Sequence, residues 1–322
     1  MSKYLPWVLV LVTLVLFIGN SVSRVNTPEP DFSSTKWSEN YNSGNLYPSE
    51  SEYTEYDSLA YTPLYYLLWF SIGGSLLPGQ IISILCTVLI VGFIYLISRM
   101  YIKGQLARFI PGILFVLAPS TMYWSTITRS DMMALLFVMC GVYLLLRFKE
   151  FGLYLSPLLF VLALFTKQWY IAAPIAVCLV YWKKELFYFL VYYVGFLLIG
   201  YILATVYTGG TFLTHVILFP IQSGGPSVLD LGRLCLSSLI TIGSNLGILC
   251  GLFIVVYRIV KERQKVFKDY LVVLFLVSLL LMFATIGKPG SGSNYGLECL
   301  AVGSILTGVV ADKMLKRRSK LG

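Results

Sequence analysis

Charged residues stand beside long apolar runs at four places in this sequence, and these residues could do chemistry. The first place is Glu29-Pro30-Asp31, which follows the first apolar run. A carboxylate held there, at a membrane surface, could accept a proton from an incoming hydroxyl group. An ordinary solvated loop would also carry such acids, so both interpretations stay open.

The second place is Thr128-Arg129-Ser130-Asp131, at the start of another apolar run. Ser130 or Asp131 could cap a helix, because hydroxyls and acids are favoured where backbone N–H groups lack partners. The guanidinium of Arg129 suits bidentate phosphate binding, although it could equally pair with Asp131 or reach lipid headgroups.

The other two places hold a lysine and a glutamate. Lys167 lies in a polar break, Phe165 to Trp169, that is too short for a loop, so the lysine either extends to the membrane surface or binds a ligand. Glu298 lies about one turn inside the last run. An acid there is a candidate functional residue, or it interacts with the helix N-terminus or with Lys288.

The elements that must position these residues are membrane helices. Hydrophobic residues make up 57% of the 322 residues and charged residues 12%, far outside the soluble range. The runs approach the roughly 20 residues that cross a hydrocarbon core, and they are continuous, which predicts helices and not a barrel. We predict an all-α polytopic protein with a single transmembrane domain over 1–322. The ten predicted spans are 4–20, 80–98, 109–124, 131–147, 152–166, 168–182, 186–207, 234–257, 270–287 and 296–311.

The basic residues predict the topology. Of the 24 lysines and arginines, 18 fall at the termini or in the loops after even-numbered spans. Those on the other side are Arg24, Lys36, Arg129, Lys167, Arg233 and Lys288. The positive-inside rule then places both termini in the cytoplasm of a multi-pass protein of the cell membrane. The net charge of +9 is therefore a topology signal, and nucleic acid is not a predicted partner. The first span could also be a cleaved signal peptide, but it is long for one.

The first extracytoplasmic loop is predicted over 24–79, with an interfacial helix at 62–77 inside it. Tyr and Trp residues favour the headgroup level, Pro63 suits the first turn, and Gly73-Gly74 suits the end. A short eleventh span is the alternative, but it would reverse every later loop. In the span at 234–257, glycines four residues apart predict one face for close helix packing. These are Gly243, Gly247 and Gly251.

Several classes of site are excluded or unsupported. The six cysteines have no paired spacing, and a single histidine excludes sites with several histidines. There is no P-loop and no GxGxxG motif. No metal site is predicted; acidic loop residues could bind a divalent cation, but no ligand spacing supports it. Asp31, Arg129, Lys167 and Glu298 gather acid and base on one face, which best suits a phosphate-bearing lipid.

Three stretches resemble the GT-C membrane glycosyltransferases of bacteria and archaea. Asp31, the run Gly44 to Pro48 and the run Tyr61 to Leu68 are similar to their first external loop and interfacial helix. Three further groups follow in the same order. They are Arg129-Ser130-Asp131, then Thr166-Lys167-Gln168 with Ala172-Ala173-Pro174, and then Gly290-Ser291-Gly292-Ser293-Asn294-Tyr295. The resemblance covers about residues 1–300.

The resemblance implies an inverting hexosyl or pentosyl transfer at the extracytoplasmic membrane face. The donor would be a polyprenyl-phosphate sugar and the acceptor a hydroxyl of a glycan, lipid or protein, with membrane lipid as a further partner. Asp31 would be the general base, with Glu29 as its alternative, while Arg129 and Lys167 would hold the donor phosphate. Asp131, Tyr65, Asn294 and Glu298 are further candidate site residues. Asp31 is followed by Phe32, so the Asp-Glu pair of protein mannosyltransferases is absent.

Two hypotheses from other classes compete with the enzyme. A noncatalytic transporter or flippase of lipid-linked saccharides should keep polar or broken helices near the bilayer midplane. The predicted midplane segments are almost wholly apolar, which favours the enzyme. A noncatalytic scaffold of an envelope-assembly complex would tolerate the loss of Asp31.

Overall fold

The computed structural model describes residues 5–24, 62–214, 216, 228–286 and 292–318. Most of these residues are helical and none of them forms a strand, which confirms the all-α prediction for this part of the chain. The longer α-helices are α1 (Leu5–Ser23), α2 (Leu64–Ser71), α3 (Leu76–Tyr101), α4 (Gln105–Val116), α5 (Pro119–Trp124), α6 (Asp131–Arg147), α7 (Lys149–Thr166), α8 (Ala172–Val180), α9 (Lys183–Tyr207), α10 (Val228–Ser244), α11 (Leu246–Glu262), α12 (Tyr270–Thr285) and α13 (Leu297–Arg318). Short 3₁₀ helices precede α12 (Arg263–Lys268) and α13 (Ser293–Gly296).

The helices have the length and surface of a membrane protein. Among the described residues three are long and apolar enough to cross a membrane, or four if one bent pair counts as a span. The three are Leu76–Tyr101, Lys183–Tyr207 and Ser293–Lys316. Only 6% of the apolar window of Lys183–Tyr207 is buried, and side chains such as Phe187 and Val206 are exposed. An apolar surface of this kind suits lipid. The ten-span topology stays a prediction.

Successive long helices run between two ends of the bundle. α3 and α6 begin side by side, where the Thr128 hydroxyl donates to the Leu76 carbonyl at 2.9 Å, and they end at Tyr101 and Arg147. α13 ends with them, because the Asp312 carboxylate accepts the backbone N–H of Gly104 at 2.9 Å. We call this the basic end. It carries Arg99, Lys103, Arg108, Arg147, Lys183, Lys184, Arg258, Lys313 and Lys316. The opposite end, where Asp131 begins α6, is called the cluster end.

The helix within the predicted span at 234–257 is broken. The chain bends by 96° between the helices on either side of Asn245, so α10 and α11 are not one continuous helix. Asn245 has a non-helical backbone (φ −112°, ψ 94°) and is fully buried. Gly243 lies before the bend with open space around it, whereas a Cβ at Gly251 would lie 2.9 Å from the Cα of Gly303. The small-residue face therefore begins after the bend and packs against α13.

The predicted span at 109–124 is also interrupted. Pro119 begins α5, and Ala118 before it takes the extended conformation that precedes a proline (φ −66°, ψ 136°). The Asn245 side chain joins this break to the other one. Its Oδ1 accepts the Ser120 N–H at 3.3 Å, and its Nδ2 donates to the Ser120 hydroxyl at 2.9 Å and to the Thr241 carbonyl at 2.7 Å. One buried amide thus satisfies polar groups of both interrupted segments.

The helix predicted at 62–77 is shorter than expected, Leu64–Ser71. Gly73 (φ 102°) and Gly74 (φ 59°) end it in a conformation that glycine adopts without strain. Eight residues rise only about 12 Å, which is less than half of the roughly 30 Å hydrocarbon core. The interfacial position of this helix stays a prediction, but its aromatic residues do not face outwards. Tyr65 and Trp69 are fully buried and Tyr66 is 1% exposed, because the aromatic side packs into the protein.

Candidate functional site

Asp131 is the centre of a buried polar cluster at the cluster end. It is the first residue of α6 and is 1% exposed. Its Oδ1 accepts hydrogen bonds from the ammonium of Lys167 and, at 2.8 Å, from the Asn294 side-chain amide. Its Oδ2 lies 3.8 Å from Nε of Arg129. The expected cap is not formed, since Ser130 is the N-cap residue and no side-chain capping bond is made. Asp131 thus joins three separate parts of the chain.

The turn after α7 positions Lys167. α7 ends at Thr166, and Lys167 adopts an extended backbone (φ −157°, ψ 118°) that directs the chain into α8. Its side chain is buried, at 2% exposure, so of the two alternatives for this lysine the extension to the membrane surface is not seen. The ammonium pairs with Asp131 and lies 5.4 Å from the centre of the Tyr295 ring. A buried lysine needs such a counter-ion, because an unpaired charge away from water is costly.

Arg129 is the more exposed cation of the cluster. Its side chain is 17% exposed, and its guanidinium lies 5.2 Å from the centre of the Trp124 ring. Trp124 is held in turn by a 2.9 Å hydrogen bond from its indole N–H to the Ser293 hydroxyl. A Cβ at Gly292 would lie 2.8 Å from this indole, so glycine here allows close packing and not a turn. The arrangement leaves part of a guanidinium at the surface of the site.

Asn294 and Glu298 reach the cluster from the start of α13. Asn294 lies in the 3₁₀ turn Ser293–Gly296, and Glu298 follows in the first turn of α13. Both are buried, at 3% and 6% exposure. They share a cavity of about 20 Å³ with Asp131 and Lys167. Its other lining residues are Trp169, Tyr170, Ser278, Leu281, Thr285 and Tyr295.

Several buried oxygens in this cavity have no hydrogen-bond partner among the described residues. They are Oε1 of Glu298, the Tyr170 hydroxyl, Oδ1 of Asn294 and Oδ2 of Asp131. Buried polar atoms are rarely left without a hydrogen-bond partner. Four such oxygens around one cavity therefore indicate that solvent or a ligand binds there. The cavity volume matches about one water molecule and is too small for a sugar. A ligand larger than water would not fit inside this cavity.

The structure brings together most of the predicted site residues. Asp131, Arg129, Lys167 and Asn294 are in contact, and Glu298 lines the same cavity. Tyr65 is not in this group, since it is buried in α2 against Tyr66, with ring centres 5.2 Å apart. Asp31 and Glu29 lie outside the described residues. In the part of the chain that the structure describes, no three acidic, histidine or cysteine residues are placed to hold a metal ion.

Sequence reasoning missed three aromatic residues of the site: Trp124, Tyr170 and Tyr295. Trp124 and Tyr295 contact Arg129 and Lys167, and Tyr170 lines the same cavity as Asp131 and Glu298. A signal for them was present, because each lies within five residues of a charged or amide candidate. In so aromatic a chain, with 15% Phe, Trp and Tyr, that proximity alone does not separate them from ordinary membrane-protein aromatics.

Comparisons of the chain with protein-family models, with curated proteins and with solved structures find no match.

Proposed function

We propose that the chain is a membrane glycosyltransferase of the GT-C type, which moves a sugar from a polyprenyl phosphate to an acceptor hydroxyl. The observation that supports this most is the position of Arg129. Its side chain is 17% exposed, and its guanidinium lies against Trp124 and next to the buried Asp131–Lys167 pair. A guanidinium held by its neighbours at the surface of an apolar bundle suits a phosphate on a lipid.

The roles divide between residues at the surface and residues below it. Arg129 contacts the phosphate of the donor and stabilises the charge that develops as the glycosyl bond breaks. Lys167 acts through Asp131, because its ammonium is buried in that ion pair. Lys167, Asp131 and Asn294 are therefore positioning residues that fix the start of α6 and, with it, Arg129.

The reaction is a single displacement in this proposal. The oxygen of the acceptor attacks the anomeric carbon, the bond from that carbon to the phosphate oxygen breaks, and the polyprenyl phosphate leaves. The acceptor proton passes to Asp31 in the first loop, or to Glu29 in the alternative assignment. A single displacement inverts the configuration at the anomeric carbon.

The proposed topology has ten passes, with the cluster end outside and both termini in the cytoplasm. The direction of the described helices supports it, since α1, α3, α6, α7 and α13 all run between the same two ends. In this topology the eighth pass is the bent pair α10–α11, broken at Asn245. The concentration of lysines and arginines at the basic end supports its cytoplasmic placement.

The test uses purified protein in proteoliposomes with a panel of radiolabelled polyprenyl-phosphate sugars and candidate acceptors. In the sample with wild-type protein, the radiolabel should leave the lipid fraction. Asp31→Asn should reduce the rate about 100-fold or more, and Glu29→Gln should reduce it less. Arg129→Gln should lower turnover more than donor binding. If Asp31→Asn and Glu29→Gln both transfer at the wild-type rate, the general-base mechanism is wrong.

A transporter of lipid-linked saccharides is the second candidate, and the two helix breaks favour it. Interrupted helices that meet at a polar residue, as α4–α5 and α10–α11 meet at Asn245, are typical of transporters. The same proteoliposomes separate the two functions. A transporter moves intact labelled donor between leaflets, whereas a transferase releases the label from the lipid.

A further inference from the structure

A second polar cavity lies at the basic end, between the last turns of α3 and α6. Its volume is about 570 Å³, and it is lined by Leu96, Arg99, Met100, Tyr143, Leu146 and Arg147. Arg99 lies in the last turn of α3, and Arg147 is the last residue of α6. Because these two helices start together and end together, they bring both guanidinium groups to one opening. The function proposed for the cluster end does not involve this cavity.

Within the part of the chain that the structure describes, no acidic side chain balances the charge in this cavity. No acidic residue lines it, and none of the described acidic residues forms an ion pair with Arg99 or Arg147. Another arginine at the same end of the bundle differs in this respect, since Arg258 pairs with both Glu262 and Asp269. Two adjacent like charges without a counter-ion favour an anion, and guanidinium groups match phosphate geometry.

The rest of the lining indicates a lipid instead of a soluble anion. Leu96, Met100 and Leu146 are aliphatic, and the Tyr143 side chain adds a hydroxyl. Next to the cavity, the guanidinium of Arg99 lies 6.0 Å from the centre of the Tyr95 ring. Tyr95 in turn lines an almost wholly apolar groove of about 290 Å³ between α1, α3 and α4. The groove gives a hydrocarbon chain a place beside a site for an anionic head.

Exposed aromatic residues indicate that the cavity lies at the headgroup level of the membrane. Tyr101, Phe148 and Phe151 are between 41% and 59% exposed at the same end. Aromatic side chains that face outwards beside basic residues mark the headgroup level of a membrane. The cavity therefore opens where the phosphates of lipids lie.

We propose that Arg99 and Arg147 form a binding site for the phosphate of an anionic glycerophospholipid, with an acyl chain along the aliphatic side of the cavity. The shared chemistry of the candidate ligands is a phosphate group. The lipid and inorganic phosphate are separated by the experiment below.

The experiment is native mass spectrometry of the full-length protein, titrated with phosphatidylglycerol or with phosphatidylcholine. The wild type should bind phosphatidylglycerol more tightly. Arg99→Gln with Arg147→Gln should weaken that binding about 100-fold, at about tenfold for each charge-assisted contact to the phosphate that is lost. Lys183→Gln with Lys184→Gln is the matched control. It removes the same charge from exposed residues at the same end that do not line the cavity, and it should change binding less than about fivefold.

A second variant keeps the charge and removes the space. Leu146→Trp leaves both arginines in place but fills part of the cavity, and it should weaken phosphatidylglycerol binding while retaining the thermal stability of the wild type. Three results would overturn the proposal: equal loss in the lysine control, wild-type binding by Leu146→Trp, or displacement of the lipid by millimolar inorganic phosphate. The first would indicate unspecific charge attraction and the last a site for a soluble anion.

Discussion

Lys167→Met tests the buried ion pair on which the site depends. The two side chains are 2% and 1% exposed, so water cannot replace the ammonium once it is removed. Asp131 would keep one hydrogen bond from Asn294 and the guanidinium of Arg129 at 3.8 Å. Removing one partner of a buried pair costs about 3–5 kcal/mol. Because Arg129 remains nearby and Met fills the space of the lysine stem, we expect the lower value, about 3 kcal/mol.

The measurement is unfolding in detergent micelles, followed by tryptophan fluorescence at increasing denaturant. The double variant Lys167→Met with Asp131→Asn removes both charges, so it should be more stable than Lys167→Met alone. Lys184→Met is the control at an exposed position and should change stability by less than about 0.5 kcal/mol. The reasoning is refuted if Lys167→Met unfolds together with Lys184→Met, or if the double variant loses the sum of the two single losses.

Three further predictions concern the helix breaks, the helix packing and the topology. Asn245→Ala should lower stability by about 1–3 kcal/mol, because the Ser120 N–H and hydroxyl lose their buried partner; Asn20→Ala, at a half-buried amide bonded to the Met122 carbonyl, should cost less in the same unfolding assay. Gly303→Ala should destabilise by about 1–3 kcal/mol, since its Cβ would lie 2.5 Å from the Gly247 carbonyl oxygen. Gly243→Ala, with open space around it, should be neutral or stabilising, and equal effects of the two glycine variants would contradict the packing argument. In a cysteine-free background, an impermeant thiol reagent added to intact cells should label a cysteine at Ser43 but not one at Arg263, and the reverse pattern would overturn the topology.

The sequence predicted the cluster residues because charge is conspicuous in a hydrophobic chain. Asp131, Lys167 and Glu298 lie at the ends of apolar runs, where a charge is costly unless it is paired or functional. Asn294 was found only through the resemblance. The partner of Lys167 could not be predicted, because Asp131 is 36 residues away and four charged sites allow several pairings. Only the packing of α7 on α6 selects this one.

The helix breaks illustrate the other difference between prediction and structure. A hydropathy profile depends only on the types of residue in a stretch. Residues 234–257 are apolar overall, so their profile does not reveal the 96° bend at Asn245. The polar pair Ser244-Asn245 was the one local signal of a break in that run. It could not be interpreted from the sequence, because Asn245 bonds to Ser120, which is 125 residues away. The same holds for α2, whose Tyr and Trp residues predict headgroup contacts by type, while their burial depends on long-range packing.

The Asp131–Lys167 pair also has a consequence for biogenesis. α6 and α7 form a helical hairpin with its turn at Phe148, so the two charged residues lie at the open end of the hairpin. In the proposed ten-pass topology, both must come to the same side of the membrane during insertion. If the hairpin enters as a unit, the two charges travel together and can neutralise each other on the way, whereas α6 or α7 alone would carry an unpaired charge into the lipid. Co-insertion of this hairpin would then precede the arrival of Asn294, which completes the site only after the last helix has been made.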